Sequence, residues 1–278
     1  MNFQQQPVRG VAPIATSLAV TLLATVLSTA LLLAGCGRQR EAATQASSTQ
    51  VSTDNMAGNT ASNTVTLALE PNTVTIGYLP SIVSPQPLIG IQEGEFTRRI
   101  SGVAFKDKVL ASDSAVLSAL RAGTVDIAYT GTLTALKAYL ETKSVVLLGA
   151  CSSQAAPSAS GRAPSPPGAS IKSVYLTTKQ FVQANPNFVR RFVEANRALT
   201  TDLNASPTKA VARVTDAWSK ASGKTLDPAV AATTFKTIRF TSDADLKSLE
   251  RDAARAVQTG ALPQKDDLTG FLYDPSKP

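Results

Sequence analysis

Length, composition and charge restrict the chemistry that this chain can perform. The 278 residues are 43% hydrophobic, which is enough for one large domain or two small ones, and they contain no histidine. The commonest general base and metal ligand is therefore absent, and we predict no catalytic residue, no metal site and no cofactor. The net charge of +7 is dispersed among acidic residues, as over 247–255, and no basic stripe carries interleaved aromatic side chains. We interpret the charge as a solvated basic surface, with no nucleic-acid partner.

The N-terminus has the composition of an export signal. Arg9 is the only charged residue before Cys36, and residues 11–34 are uncharged and apolar or small. This length would also allow an uncleaved membrane anchor, but small residues directly before a lone cysteine favour cleavage there. The ending LAGC at 33–36 resembles the lipobox of bacterial lipoproteins, in which the cysteine carries the lipid. We predict a signal peptide over 1–35, lipidation of Cys36, and an exported protein anchored to the cell membrane, facing the periplasm or the cell exterior.

The next segment predicts a flexible tether. Residues 37–63 are rich in Ser, Thr, Ala, Gln and Asn and show no sustained apolar period, so they cannot bury enough surface to order themselves. We assign 36–70 to the lipidated cysteine and this tether. If Cys36 carries lipid, Cys151 has no partner for an intrachain disulfide.

Residues 71–150 predict a largely parallel α/β sheet. Strands are indicated by β-branched or apolar runs at 73–78, 125–129 and 145–148. Helices are expected around Pro87, from Ser114 to Gly123, and directly after Gly131-Thr132. Strands that alternate with helices are typical of this fold class.

The rest of the chain predicts a short strand and then helices. Val174–Thr177 is the strand candidate, and Pro186, Pro207 and Pro228 each suit the first turn of a helix. A fourth helix carries Leu246, Leu249, Ala253 and Val257 on one face and ends at Gly260.

Several of these stretches together resemble one family. The strand ending Gly77-Tyr78, the Gly94-Glu95-Phe96 turn, and the run from Leu120 through Gly123, Asp126 and Ile127 to Gly131 are similar to the first lobe of ABC-transporter substrate-binding proteins for aliphatic sulfonates, taurine and nitrate. The motifs ANPNFVRRFVEAN at 184–196 and DDLTGFLYD at 266–274 are similar to that family's tail. The resemblance covers most of 73–150 and 174–275. It implies a periplasmic-binding-protein-like α/β lobe with a parallel-type sheet and C-terminal helices, and a membrane permease as partner.

The resemblance implies a site for a small anionic solute, most simply an alkanesulfonate or taurine, with nitrate or another small solute as alternative. A permanent anion needs hydrogen-bond donors, which strand-to-helix turns at the carboxyl edge of a parallel sheet provide. The expected ligand-binding residues are Tyr78, Pro80, Ser81, Ser114, Thr130, Gly131 and Thr132. Three of them also have a plain structural explanation: Tyr78 as a core residue, Ser114 as a helix cap and Gly131 as a turn.

An enzyme is the rival class, and the residues argue against it. Gly223-Lys224-Thr225 lacks the glycine that a phosphate-binding loop needs five positions earlier, where Trp218 stands. No G-x-S-x-G motif occurs, and Cys151 has no histidine to activate it.

Residues 151–173 form a seam rich in Pro, Ser and Ala between two well-patterned segments. Members of the family have two lobes. Here Ile171–Val174 resembles the start of the second lobe, whereas Val174–Thr177 resembles the strand that returns from it. We therefore assign 174–278 to the return strand and the C-terminal helices. We infer that the second lobe is largely absent; a natural linker is the alternative. A truncated remnant that binds no ligand is then a serious possibility, and we expect weak binding and no hinge closure.

Overall fold

The computed structural model describes residues 70–154, 169–264 and 267–276, which belong to the compact unit Asn63–Pro278. The predicted signal peptide, Cys36, most of the tether and part of the seam lie outside these ranges. No helix within the described ranges is long and apolar enough to cross a membrane.

The strands are β1 Thr73–Tyr78, β2 Ala104–Val109, β3 Ile127–Gly131, β4 Val145–Gln154, β5 Ile171–Thr178 and β6 Ile238–Phe240. The helices are α1 Pro85–Gln92, α2 Glu95–Arg99, α3 Asp113–Arg121, α4 Thr132–Thr142, α5 Lys179–Ala184, α6 Pro186–Ala205, α7 Pro207–Ser222, α8 Pro228–Thr237 and α9 Leu246–Gln258.

Helix starts follow local chemistry. Proline opens α6, α7 and α8, because its fixed φ suits the first turn and its missing N–H has no acceptor there anyway. The Thr178 hydroxyl caps α5, and the Asp245 carboxylate caps α9. The starts of α6 to α9 agree with the expected helices, whereas α5 was not expected. One expected cap is wrong: Ser112, not Ser114, caps α3 by accepting from Ala115 N at 3.2 Å.

The strands form one mixed sheet in the order β2-β1-β3-β5-β4-β6. β1 runs parallel to β2 and β3, whereas β5 runs antiparallel to β3 and β4, and β6 antiparallel to β4. The expected parallel sheet is thus correct for the first three strands. The reversal begins at β5, the predicted return strand, which is longer than expected and lies in the interior of the sheet.

Apolar side chains cover both faces of the sheet. Val74, Ile76 and Tyr78 project from β1 into one cluster, which also contains residues of α1, α6 and α7. The other cluster contains residues of α3, α4 and α9. Because side chains alternate along a strand, β5 contributes Tyr175 to the first cluster and Val174 and Leu176 to the second. The expectation that tail helices pack on an α/β lobe is confirmed.

The residues at both ends of the predicted seam belong to β-strands. β4 does not end at Leu148 but continues to Gln154, and β5 already begins at Ile171. Gln154 N donates to Ser170 O at 2.8 Å, so the two strands stay paired up to the intervening segment. Residues 155–168 are far too few for a second lobe, since even a small domain needs about 50 residues. The described residues therefore contain one lobe.

Candidate functional site

The expected site residues lie along one edge of the sheet. Tyr78 ends β1 and pairs with Tyr129 of β3, and Gly131 ends β3 opposite Ser173 of β5. The carboxyl ends of β1 and β3, the N-terminus of α4, the end of β4 and the start of β5 therefore share this edge. We call it the carboxyl edge.

Tyr78 is fully buried and its hydroxyl already has a partner. It donates to Asp107 Oδ2 at 3.1 Å, and Gln92 Nε2 lies 3.4 Å from the same oxygen. Burial raises the pKa of the Tyr78 phenol, and the charge of Asp107 raises it further. The side chain thus serves the core and the β1–β2 pair in this conformation.

The loop after β1 is fixed from two sides. The Pro80 carbonyl accepts from Trp218 Nε1 at 3.1 Å, and Ser81 Oγ accepts from Val83 N at 3.4 Å. The Val83 carbonyl accepts from the hydroxyls of Ser152 at 2.6 Å and Ser173 at 2.9 Å. Pro80 and Ser81 are therefore held against α7 and above the ends of β4 and β5.

A carboxylate occupies the turn that we expected to bind an anion. Gly131 N–H donates to Asp113 Oδ2 at 3.1 Å, and a Cβ at Gly131 would lie 2.8 Å from that oxygen. The missing side chain at Gly131 is what lets the carboxylate approach the backbone. Ser114, next to Asp113, is exposed and its Oγ lies 3.0 Å from Ser112 Oγ. Asp113 is the residue that sequence reasoning missed; the local signal was an acid beside a candidate helix start.

The N-terminus of α4 keeps hydrogen-bonding capacity. No side chain caps this helix, and the first-turn amides of any α-helix have no intrahelical acceptor. The hydroxyls of Thr130 and Thr132 are buried and have no partner among the described residues. The turn at 130–132 therefore combines unused donors with one carboxylate.

A buried polar network lies beneath the same edge. Gln86 Nε2 donates to the Cys151 carbonyl at 2.8 Å and lies 3.2 Å from Thr200 Oγ1. The Tyr129 hydroxyl donates to Asn196 Oδ1 at 2.5 Å. These contacts tie α1 and α6 to the strands that end there.

Acid–base or nucleophilic chemistry has little support in this arrangement. Burial raises the pKa of the Cys151 thiol to about 12, so the thiolate that a nucleophile requires does not form near neutral pH. No group of three or more potential metal ligands occurs in the described part of the chain. What the edge can do is donate hydrogen bonds to a ligand and present one negative charge.

The sequence matches no protein-family model and no curated protein, but solved structures match. The chain is similar to the alkanesulfonate-binding protein SsuA of Xanthomonas axonopodis pv. citri, bound to MOPS, at 14% identity and a TM-score of 0.54, over 74% of this chain and 99% of that one. The periplasmic aliphatic sulphonate-binding protein SsuA of Escherichia coli aligns at 14% identity and a TM-score of 0.50, over 74% and 93%. A Candida albicans protein with the generic periplasmic binding protein fold aligns at 12% identity and a TM-score of 0.56, over 72% and 96%. At such identities the likeness establishes the fold alone: the described residues form one lobe of the periplasmic-binding-protein fold, with C-terminal helices packed on it.

Proposed function

We propose that the chain is the extracytoplasmic solute-binding component of an ABC importer for a small oxyanion, an aliphatic sulfonate or taurine. The observation that carries the proposal is the uncapped N-terminus of α4, which opens from β3 at the carboxyl edge. Solved neighbours with this fold include proteins named for sulfonate binding. A lipid at Cys36 would hold the domain at the membrane beside its permease. Binding and release need no covalent chemistry, so the protein is not an enzyme.

The physical basis is the helix terminus. Its free N–H groups and the positive end of the helix dipole both favour a negative oxygen. A sulfonate stays ionised at all physiological pH values, so donors are sufficient and no general base is required. The proposed ligand-binding residues are Tyr78, Pro80, Ser81, Ser114, Thr130, Gly131 and Thr132; of these, the turn at 130–132 offers the most direct contact.

The charge of Asp113 restricts which ligands this site would favour. The Asp113 carboxylate accepts a hydrogen bond from Gly131 N–H and would repel a ligand that carries only negative charge. Taurine carries an ammonium group as well as a sulfonate. Its ammonium can pair with Asp113 while its sulfonate accepts from the remaining first-turn amides of α4. We therefore favour taurine over a simple alkanesulfonate or nitrate.

Titration calorimetry of the exported domain tests the proposal with taurine, ethanesulfonate and nitrate. A single lobe supplies only part of the donors of a closed cleft, so we expect a Kd of about 1 mM for taurine, equivalent to roughly −4 kcal/mol. A half-exposed ion pair contributes up to about 1 kcal/mol, which predicts an approximately fivefold preference for taurine over ethanesulfonate. Asp113→Asn keeps an acceptor for Gly131 N–H but removes the charge, and should abolish this preference. Asp216→Asn, which breaks a surface pair with Lys220, is the matched control.

A second candidate, a remnant that binds no ligand, is favoured by a specific observation. The Tyr78 hydroxyl and the Gly131 amide, both proposed as ligand groups, already have intramolecular acceptors. Saturable binding of none of the three solutes would support the remnant. In either case we expect no ligand-dependent compaction in small-angle scattering, because the described residues contain no second lobe to close. Micromolar binding with compaction would contradict both candidates.

A further inference from the structure

A separate cavity has no lining residue in the carboxyl-edge turn at 130–132. Its volume is about 390 Å³, within the range of small-molecule sites. Strand β4 contributes Leu148 and Gly149, helix α6 contributes Val193 and Arg197, and the segment after β6 contributes Ser242 and Asp243. The C-terminal tail closes it with Leu272 and Tyr273. None of these residues takes part in the proposed solute site.

Tyr175 lies beside this cavity, against the lining residue Gly149, and its hydroxyl is unused. The side chain is 1% exposed, and its Oη has no hydrogen-bond partner among the described residues. A Cβ placed on Gly149, which lines the cavity, would lie 2.7 Å from that Oη and 2.9 Å from the Ser242 carbonyl. The missing side chain at Gly149 is therefore what leaves room for the hydroxyl beside the cavity wall. A buried hydroxyl without a partner is unfavourable, and a ligand group that reached it would relieve this cost.

Two opposite charges line the cavity, Arg197 on α6 and Asp243 after β6. Burial raises the pKa of the Tyr175 phenol most, Cys151 raises it further, Arg197 lowers it and Asp243 raises it. Neither Arg197 nor Asp243 has an ion-pair partner within the described ranges. The other charges on the wall, Arg190 and Glu194, pair with each other at 3.2 Å. Among the described residues that line it, the cavity thus presents one cation and one anion without an ion-pair partner.

The remaining wall is apolar. Leu148, Val193, Ala244 and Leu272 line it together with the Tyr273 ring. A ligand that matches all of these features has an acid group for Arg197 and Tyr175, an ammonium for Asp243, and a short aliphatic part. Arg197 and Asp243 are both exposed, so a group with a single charge would pair with only one of them and gain only part of the attraction.

We propose that this cavity binds a small zwitterion with an aliphatic side chain, of the amino-acid class, with Tyr175, Arg197 and Asp243 as its polar contacts. The site is independent of the proposed solute site at the carboxyl edge. It can be occupied whether or not the edge binds taurine.

The test uses the full chain in detergent micelles and L-leucine as probe, with binding measured by saturation-transfer NMR and calorimetry. Two analogues each remove one charge: 4-methylpentanoate lacks the ammonium, and 3-methylbutylamine lacks the carboxylate. We expect saturable leucine binding and about fivefold weaker binding of both analogues. Absence of saturable leucine binding, or equal binding of either analogue, would overturn the proposal.

Single substitutions test whether leucine binds in this cavity. Arg197→Gln and Asp243→Asn should each weaken leucine binding about fivefold, whereas Arg255→Gln, at an exposed arginine of α9, should not. Tyr175→Phe should weaken binding about threefold without lowering the unfolding midpoint, because the deleted hydroxyl has no partner in the protein. Asp113→Asn should leave leucine binding unchanged. Loss of leucine binding in Asp113→Asn but not in Arg197→Gln would assign it to the carboxyl edge and refute the cavity site.

Discussion

The buried pair of Tyr129 and Asn196 gives the sharpest test of how α6 is held on the sheet. The Tyr129 hydroxyl donates to Asn196 Oδ1 at 2.5 Å, and the two residues are 2% and 1% exposed. Asn196 Nδ2 also donates to the Phe192 carbonyl at 3.0 Å. Asn196→Leu keeps the volume but leaves the Tyr129 hydroxyl without an acceptor in a site that water cannot reach. We expect a loss of about 2–3 kcal/mol in the free energy of unfolding.

The double variant separates the hydrogen bond from packing. Tyr129→Phe alone should cost about 1 kcal/mol, since it leaves Asn196 Oδ1 without its donor. Tyr129→Phe/Asn196→Leu replaces both partners with apolar groups and should be more stable than Asn196→Leu alone by about 1 kcal/mol. The resulting coupling of about 2 kcal/mol lies in the range for residues in direct contact.

Urea unfolding followed by the fluorescence of Trp218, the only tryptophan, measures these differences. Asn187→Leu, at an exposed position of the same helix, is the matched control and should change stability by less than about 0.5 kcal/mol. Strictly additive single-variant effects would refute the reasoning. They would mean that the hydroxyl and the amide do not depend on each other.

Three further predictions concern other parts of the chain. Gly90→Ala should destabilise by about 1–3 kcal/mol in urea unfolding, because the new Cβ would lie 2.1 Å from the Phe96 ring; wild-type stability would contradict the close packing of α1 on α2. Because the pKa of Cys151 is about 12 in the folded state, the native chain keeps a proton that the unfolded chain loses, so stability should fall from about pH 9 upward. Cys151→Ala should lessen this fall by roughly 1 kcal/mol at pH 10, and an unchanged slope would argue against a buried thiol. Cys36→Ala should abolish radioactive palmitate labelling, and persistent labelling would exclude the lipid anchor.

Local signals were sufficient for much of the fold. Gly131-Thr132 marks a strand that turns directly into a helix, and the structure has β3 and α4 there. The prolines before α6, α7 and α8 act within one turn, so their effect is visible without tertiary information. β1 was predictable because its β-branched residues alternate between the core and the opposite face.

Features that depend on distant parts of the chain were not predictable. β2 is an edge strand whose charged residues Lys106 and Asp107 are exposed, so it lacks the apolar signal of an interior strand. The contact between Gly131 N and Asp113 spans 18 positions and follows no local pattern. It nevertheless determines the charge at the candidate site. For the same reason, the sequence does not reveal that the Tyr78 hydroxyl already donates to Asp107 and is not free to bind a ligand.

The position of the missing lobe explains how the rest can remain folded. β4 and β5 are paired from Val145–Thr178 as far as Ser153–Ile171, so the chain leaves and re-enters the sheet at adjacent points. The entropy of closing a connection between two such points changes slowly with its length, by about 0.6 kcal/mol per doubling. Replacing a lobe of about 100 residues with the short segment 155–168 therefore removes no contact of the six-stranded sheet and should make its closure easier. Under the proposed function, the same replacement would remove the opposite wall of the ligand cleft. The lobe can then keep the fold of its structural neighbours, whereas the proposed solute affinity would depend on the carboxyl edge alone.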